Sequence, residues 1–155
     1  LVFTQYVEMA RLVARHLATA GIPHQLLHGG TPVREREEMV RRFQSDDADR
    51  VPVFLLSLKA GGTGLNLTRA DHVIHLDRWW NPAVEDQATD RAYRIGQTKP
   101  VQVHRMVTRG TIEERVGLLL KRKRSLADAV LGRGEAALTE LSDDELRDLV
   151  SLRPA

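Results

Sequence analysis

The sequence predicts an α/β domain in which a parallel sheet is flanked by helices. Segments with a helical period alternate along the chain with short strand-like segments, an order typical of right-handed βαβ units. Residues 51–57, VPVFLLS, form an apolar run that indicates a strand covered on both faces. Hydrophobic residues make up 42% of the 155 residues and charged residues 28%, which is ordinary for a globular domain with its own core.

Two strand–helix pairs precede this run. Residues 1–3 are strand-like, and the apolar positions within residues 6–19 recur with a helical period. Residues 24–28 form a second short strand. Thr31 then offers a helix-capping hydroxyl, and Pro32 has the fixed φ that suits a first helical position, so we expect the next helix to begin here.

Further strands and helices follow the run in alternation. Residues 72–77 and 101–107 have strand patterns, and residues 83–95 between them have a helical period. Thr111 and Glu114 match a capping box, T-x-x-E, which predicts the start of a long helix.

The domain organisation follows from where this pattern ends, because a pair of glycines breaks the last long helix. We expect one lobe over residues 1–131, a linker over residues 132–141, and a C-terminal helix and tail over residues 142–155. The chain starts inside a strand and without Met, which indicates a piece of a longer protein.

The composition excludes several kinds of site. The chain has no cysteine, so it forms no disulfide and no thiolate metal site, and its 6 histidines lack the spacing of a helical metal pair. No apolar run approaches the ~20 residues that span a bilayer. The net charge of +2 gives a weak overall field, although positive charge clusters at residues 121–124, KRKR. That cluster fits either a solvated helix face or a nucleic-acid contact.

Two arginines in residues 85–97, EDQATDRAYRIGQ, form a candidate anion site. On the predicted helix, Gln87, Arg91 and Arg94 would share one face, since they stand at i, i+4 and i+7. The opposite stripe is small and apolar and would pack on the domain: Val84, Ala88 and Ala92.

Glycines in residues 58–67, LKAGGTGLNL, suggest a second anion-binding element, because they let consecutive backbone N–H groups face an anion. A tight strand-to-helix turn is the alternative. The segment matches neither G-x-x-x-x-G-K-[ST] nor G-x-G-x-x-G. Asp77 ends a strand, where ligands collect in open α/β sheets, and the tryptophans that follow it fit either core packing or a lever against a partner.

These residues by themselves predict a parallel α/β domain with two aimed arginines and no catalytic centre of its own. Five blocks carry a resemblance: LVFTQY, LHGGTPVREREEMVRRF, SLKAGGTGLNL, DRWWNP and DQATDRAYRIGQ. Their order and spacing resemble the second motor lobe of Swi/Snf-type helicase-like ATPases over essentially residues 1–150. The ending LTELSDDELRDLVSLRPA resembles the C-termini of compact bacterial members.

The resemblance implies a RecA-like, P-loop NTPase-type lobe, the second of two. In that family ATP and Mg²⁺ are held mainly by the N-terminal lobe, and closing of the cleft drives translocation along double-stranded DNA. We therefore expect the full-length protein to be a DNA-dependent ATPase, and this chain alone to be inactive and without a tightly bound cofactor. The expected partners are double-stranded DNA and the N-terminal lobe, with RNA polymerase or other DNA-bound complexes as targets and no membrane. A bacterial protein of this kind would be cytoplasmic and nucleoid-associated.

The resemblance also assigns roles to residues. It places Arg94 at the arginine-finger position and Arg91 beside it, both catalytic and both facing the γ-phosphate of ATP. Leu58 stands where many relatives have a small polar residue, so no side-chain contact with DNA is expected there. Three residues are assigned to the ATP cleft: Gln87, Gly64 and Asn66. The residues assigned to DNA are Thr4, Gln5, Gly29, Gly30, Thr31, Ser57, Gly61, Gly62 and Trp80.

Two other functions stay open at this point. The chain fits a non-catalytic DNA-binding or regulatory module that retains the lobe fold, which a P-loop lysine and a D-E-x-H-type motif upstream would exclude. It also fits, less well, a nucleotide-sugar or dinucleotide enzyme that uses the glycine turn. Against that function stands the missing acidic ribose-binding residue after a G-x-G-x-x-G turn.

Overall fold

The structure is a computed structural model that describes residues 1–46, 50–58, 64–79 and 81–119. The chain divides into two compact units, Leu1–Met106 and Val107–Ala155. The predicted linker, the C-terminal helix and the end of the long helix before them lie outside the described residues. The domain boundaries proposed from the sequence therefore stay predictions.

The first unit contains a five-stranded sheet in which every pair of neighbouring strands is parallel. All five strands were predicted from the sequence. Their bounds are β1 (Val2–Thr4), β2 (His24–Leu27), β3 (Val53–Ser57), β4 (His72–His75) and β5 (Gln102–Arg105). The order of the strands in the sheet is β2-β3-β1-β4-β5, so β1 lies at the centre.

Three helices connect these strands: α1 (Val7–Thr19), α2 (Val33–Gln44) and α3 (Pro82–Thr89). The predicted cap of α2 was wrong, because the Thr31 hydroxyl accepts the His28 N–H at 3.1 Å instead and Pro32 stands in the cap position. The third helix is shorter than predicted, since it ends at Thr89 rather than near residue 95.

The core lies on the strands, as the apolar run of β3 predicted. Phe54, Leu55 and Leu56 of that run are completely buried. Phe3 of β1 is also completely buried, and it pairs in register with Leu56. Ala88 joins the same cluster from α3, so the small apolar stripe of that helix packs as predicted.

In the second unit, residues 112–119 are helical. The predicted capping box is present in a shifted form. The Thr111 hydroxyl accepts the Glu113 N–H at 3.3 Å, and the Glu114 carboxylate accepts the Gly110 N–H at 3.2 Å. The first bond satisfies an N–H group of the first helical turn that has no partner within the helix, and the second satisfies an N–H group just before the helix begins.

Candidate functional site

Arg91 and Arg94 lie in a turn beyond the end of α3, so the predicted shared helix face was wrong. Arg91 is buried, with 8% of its surface exposed, whereas Arg94 is exposed. Gln87 is exposed on α3 itself. The two guanidiniums therefore have different surroundings, although their spacing in the sequence suggested equivalent ones.

Helix α3 ends at Thr89 because other groups bind the carbonyl oxygens of the residues that follow it. The Arg91 carbonyl accepts the Leu67 N–H at 2.8 Å, which withdraws it from the helical ladder. The side-chain amide of Gln97 donates to the Ala92 carbonyl at 3.1 Å. Gly96 then has a φ of +103°, which reverses the chain. The turn that carries the arginines is thus fastened to the segment that follows the glycine loop.

The Arg91 guanidinium packs on an aromatic ring. Its central carbon lies 5.4 Å from the centre of the Phe3 ring, within the range of a cation–π contact. The buried Nη1 atom of Arg91 has no hydrogen-bond partner among the described residues. Burial, and secondarily the charge of Arg94, lower the pKa of Arg91 from its ordinary value. An anion near this guanidinium would remove that electrostatic cost.

Within the described ranges, Arg94 makes one long hydrogen bond, from its Nη1 to the Gly64 carbonyl at 3.3 Å. Gly64 has a φ of +119°, a conformation that favours glycine. Tyr93 and Ile95, on either side of Arg94, are 70% and 101% exposed. The arginine therefore projects from an exposed turn between two large apolar side chains.

The structure brings some of the predicted ATP-cleft residues together. Gly64 contacts Arg94, and Asn66 is exposed next to Leu67, whose N–H binds the Arg91 carbonyl. No hydrogen bond joins Gln87 to either arginine in the described part of the chain.

Thr4 and Gln5, both predicted to contact DNA, are bonded within the protein. The Thr4 side chain is completely buried, and its hydroxyl donates to the Asp77 carboxylate and accepts the Tyr6 N–H. The Gln5 N–H donates to Asp77 at 3.0 Å, and its side-chain amide donates to the Arg78 carbonyl at 2.7 Å. Asp77 thus ties the carboxyl end of β1 to the chain after β4.

The glycine turn at residues 29–30 is exposed at the carboxyl end of β2. Gly30 donates its N–H to His28 Nδ1 at 3.1 Å. Arg36 of α2 donates from Nε to the Thr31 carbonyl at 2.7 Å and from Nη2 to the Gly29 carbonyl at 3.1 Å. Thr31 itself is buried, so the exposed part of this turn consists of its two glycines.

The structure describes only some of the other residues that were predicted to contact DNA. Ser57 is 2% exposed at the end of β3. Leu58 is buried in the core. Gly61, Gly62 and Trp80 lie outside the described residues, and their roles stay predictions.

A buried ionic cluster around Glu85 was missed by the sequence reasoning. Glu85 is 1% exposed, and its two carboxylate oxygens each lie 3.1 Å from an arginine Nε, one of Arg78 and one of Arg105. It also accepts the Trp79 N–H at 3.0 Å. A glutamate in a first helical turn normally complements the helix dipole at the surface, so no local signal distinguished this buried one.

His75, at the end of β4, is buried and neutral. Burial lowers its pKa to about 4, and the neighbouring Glu85 only partly opposes this effect. Its Nε2 lies 3.1 Å from the Thr89 hydroxyl, which already donates its only proton to the Glu85 carbonyl at 3.0 Å. Nε2 therefore carries the imidazole proton, and Nδ1, buried and without a partner among the described residues, is bare.

Asn81 and Pro82 have a structural role that their residue types could have indicated. The Asn81 side chain accepts the Ala83 N–H at 3.0 Å and caps α3, with proline at the next position. This arrangement is the usual start of a helix. Trp79 packs against the core.

Two features are absent from the described residues, a metal-binding cluster and a membrane-spanning helix. No group of three or more His, Asp or Glu side chains there is arranged to hold a metal ion. No described helix is both long and apolar enough to cross a membrane.

Comparisons of the chain with known protein families, sequences and structures agree with one another. Residues 1–96 match the family model of the helicase conserved C-terminal domain. YwqA of Bacillus subtilis, named as a candidate ATP-dependent helicase/translocase, is 53% identical over 153 residues, which covers 98% of this chain and 16% of YwqA. The chain spans about a sixth or less of the length of the curated relatives it matches.

The solved structures that resemble the chain include three of a Sulfolobus solfataricus SWI2/SNF2 ATPase, each covering 99% of it. The ATPase core domain has a TM-score of 0.77 and 41% identity, with 31% of that chain covered. The core in complex with dsDNA has a TM-score of 0.75 and 40% identity, with 32% covered. The C-terminal domain has a TM-score of 0.70 and 37% identity, with 60% covered.

Proposed function

The chain belongs to the helicase conserved C-terminal domain family, as a RecA-like lobe of the Swi/Snf type, and from this premise we propose its function. It is the C-terminal motor lobe of an ATP-dependent translocase on double-stranded DNA. The lobe supplies arginine fingers to ATP held by an N-terminal lobe of the same polypeptide, and it contacts the DNA backbone.

The observation that carries this proposal is the contrast between Arg91 and Arg94. Arg94 is exposed and, among the described residues, donates only to the Gly64 carbonyl, at 3.3 Å, so it can leave that bond for a stronger anionic partner. Arg91 is buried, and its Nη1 has no hydrogen-bond partner in the described part of the chain. A fixed guanidinium beside a movable one suits the phosphates of a nucleotide that is bound by another lobe. The paired N–H donors of each guanidinium match pairs of phosphate oxygens.

ATP with Mg²⁺ would supply the phosphoryl group, and the free donors of Arg91 and Arg94 fit its negative charge. Arg94 would neutralise charge that develops on the transferred phosphoryl group, an effect worth ~10³–10⁵ in rate. The exposed Tyr93 and Ile95 would exclude water around this contact, which strengthens it. Gln87 and Asn66 are exposed and remain candidate residues of the same cleft.

The DNA contacts would come from exposed backbone. Gly29 and Gly30 are accessible, and Arg36 holds their turn in place. Thr4 and Ser57 are buried, so we assign them the positioning of neighbouring backbone rather than direct contact through their side chains. Contacts of this kind go to phosphates, so binding would tolerate changes of sequence and weaken with added salt.

The test is ATP hydrolysis by the full-length protein, measured with and without double-stranded DNA at fixed salt. DNA should stimulate hydrolysis strongly, and strand separation is not required. The 155-residue chain alone should show no turnover. A full-length protein that binds DNA but never hydrolyses ATP would instead support the non-catalytic module. RNA polymerase and other DNA-bound complexes remain candidate targets of the motor.

A further inference from the structure

Gln44, the last residue of α2, binds a segment that follows the glycine loop. Its Oε1 accepts the Arg69 N–H at 3.1 Å, and its Nε2 donates to the Thr68 hydroxyl at 3.3 Å. Arg69 also binds the helix, because its Nη1 donates to the Phe43 carbonyl at 2.7 Å. That carbonyl is one of the last four of the helix, which have no partner within it. The C-terminal end of α2 is therefore joined to residues 68–69.

The same segment holds the turn that carries the arginines. The Leu67 N–H donates to the Arg91 carbonyl at 2.8 Å, and the side-chain amide of Gln97 donates to the Ala70 carbonyl at 2.8 Å. Leu67 and Ala70 are buried, and the Ala70 N–H donates to the Leu67 carbonyl at 3.0 Å. Residues 67–70 thus form a compact turn that is bonded both to the end of α2 and to the arginine turn.

The other end of α2 holds the exposed glycine turn at residues 29–30. Arg36, near the start of the helix, donates to the Gly29 and Thr31 carbonyls at 3.1 and 2.7 Å. The helix has 12 residues, so its two ends lie about 18 Å apart. A helix of this length moves as a stiff unit, so a displacement of the glycine turn reaches the end that carries Gln44.

From these contacts we propose that Gln44 couples DNA binding to the placement of Arg91. When a DNA phosphate binds the glycine turn, α2 moves with that turn. Gln44 passes the movement to residues 67–70 and through them to the Arg91 backbone. Gln44 is a positioning residue, because it acts through the backbone that it holds. This inference rests on the proposed function, since it assumes that residues 29–30 contact DNA and that Arg91 meets the phosphates of ATP.

The experiment uses the full-length protein and Gln44→Met, which keeps the length of the side chain and removes both hydrogen-bonding groups. The measured quantity is the stimulation ratio, kcat with saturating double-stranded DNA divided by kcat without DNA. We expect this ratio to fall about tenfold, within the range typical of residues that carry coupling between two sites. DNA affinity at fixed salt should stay within about twofold of wild type, because the exposed glycines are unchanged.

A conservative variant separates hydrogen bonding from packing. Gln44→Glu should retain most of the stimulation ratio, since a carboxylate still accepts the Arg69 N–H and can accept a hydrogen bond from the Thr68 hydroxyl. Thr68→Val removes one partner of Gln44 and should lower the ratio by about threefold, with no further loss in the Gln44→Met background. Thr68→Val by itself tests the inference if Gln44→Met fails to fold.

The matched control is Gln25→Met. Gln25 also binds α2, because its side-chain amide donates to the Met39 carbonyl at 2.7 Å, but this bond joins the helix to β2. Gln25 is buried, so its loss should lower Tm at least as much as Gln44→Met does. The stimulation ratio should nevertheless stay within about twofold of wild type, because the contact between α2 and residues 67–70 is intact.

A second measurement follows the backbone contact itself and needs no ATP. Amide hydrogen exchange reports local opening of hydrogen-bonded backbone. In the wild-type protein, added double-stranded DNA should slow exchange in peptides that contain Leu67, whose N–H binds the Arg91 carbonyl. Gln44→Met should abolish this DNA-dependent protection, while Gln25→Met should retain it.

Three results would overturn the inference: a wild-type stimulation ratio in Gln44→Met, an equal loss of the ratio in Gln25→Met, or DNA-dependent protection at Leu67 that persists in Gln44→Met. Failure of the proposed function looks different. In that case Arg94→Ala would hydrolyse ATP nearly as fast as wild type in the presence of DNA, whatever the result at Gln44. Loss of hydrolysis in Arg94→Ala, together with a wild-type stimulation ratio in Gln44→Met, would reject the role of Gln44 alone.

Discussion

Arg94 donates a hydrogen bond from Nη1 to the carbonyl of Gly64, 3.3 Å away and thirty residues earlier in the chain. The bond joins the arginine turn to the end of the glycine loop. It is long and lies at the surface, so it contributes little to stability and is easily exchanged for a better acceptor.

Arg94→Ala in the full-length protein should lower DNA-stimulated ATP hydrolysis by at least ~10³-fold, since the developing phosphoryl charge loses its donor. Stability should change by no more than about 0.5 kcal/mol, because the side chain is exposed. DNA affinity should change little. Arg94→Lys should restore little activity, since an ammonium lacks the planar fork of a guanidinium.

The matched control for this substitution is Arg15→Ala, which removes an equally exposed arginine from α1. Hydrolysis, DNA affinity and urea unfolding should all stay near wild type in that control. DNA-stimulated hydrolysis by Arg94→Ala within tenfold of wild type would mean that Arg94 is not a finger.

Gly64→Ala should destabilise the protein by about 1–3 kcal/mol, because a Cβ strains the backbone at a φ of +119° even though no atom of the described residues lies within 4 Å of it. The same strain should turn the Gly64 carbonyl away from Arg94. Gly29→Ala is the control, since it also meets open space but needs no positive φ. Urea unfolding of the two variants measures the difference, and equal stabilities would refute the backbone argument.

Glu85→Gln should cost about 3–5 kcal/mol of unfolding free energy, because it removes the buried carboxylate that pairs with Arg78 and leaves Arg105 with only the more distant carboxylate of Asp86. The control is the next residue: Asp86→Asn removes a charge that is 52% exposed and 3.6 Å from Arg105, so it should cost at most about 1 kcal/mol. Chemical denaturation at neutral pH compares the two. A loss at Glu85 no larger than the loss at Asp86 would show that the cluster is not a structural element.

His75 should make the protein less stable as the pH falls. Its pKa is about 4 in the folded state and 6.5 in the unfolded state, so the unfolded chain binds more protons between these values. The contribution of His75 to the free energy of unfolding is therefore fully present above pH 6.5. It declines toward pH 4, by on the order of 3 kcal/mol in total.

His75→Gln should flatten that part of the pH profile, measured by urea unfolding across the same range. The control His16→Gln replaces an exposed histidine on α1 and should leave the profile unchanged. An unaltered slope in His75→Gln would assign the acid sensitivity to other groups.

The sequence alone determined that the sheet is parallel, the order of strands and helices along the chain, and the family. Hydrophobic period, the continuous apolar run of β3 and turn residues act over a few neighbouring positions, so they can be read without knowing what lies across the fold. The family followed from five blocks in a fixed order. The stripe that includes Ala88 was also correct, because burial of one helix face is a local pattern.

Only the tertiary structure decided how the site residues are used. The helix before the arginines stops because Leu67 and Gln97 bind carbonyls that the helical period would otherwise have used. Thr4 is held in the interior because its hydroxyl donates a hydrogen bond to Asp77, which lies just beyond the end of a distant strand. Each of these outcomes depends on a partner that lies near in space. Arg91 and Arg94 have the same chemistry in the sequence, and long-range contacts alone make one fixed and buried and the other exposed.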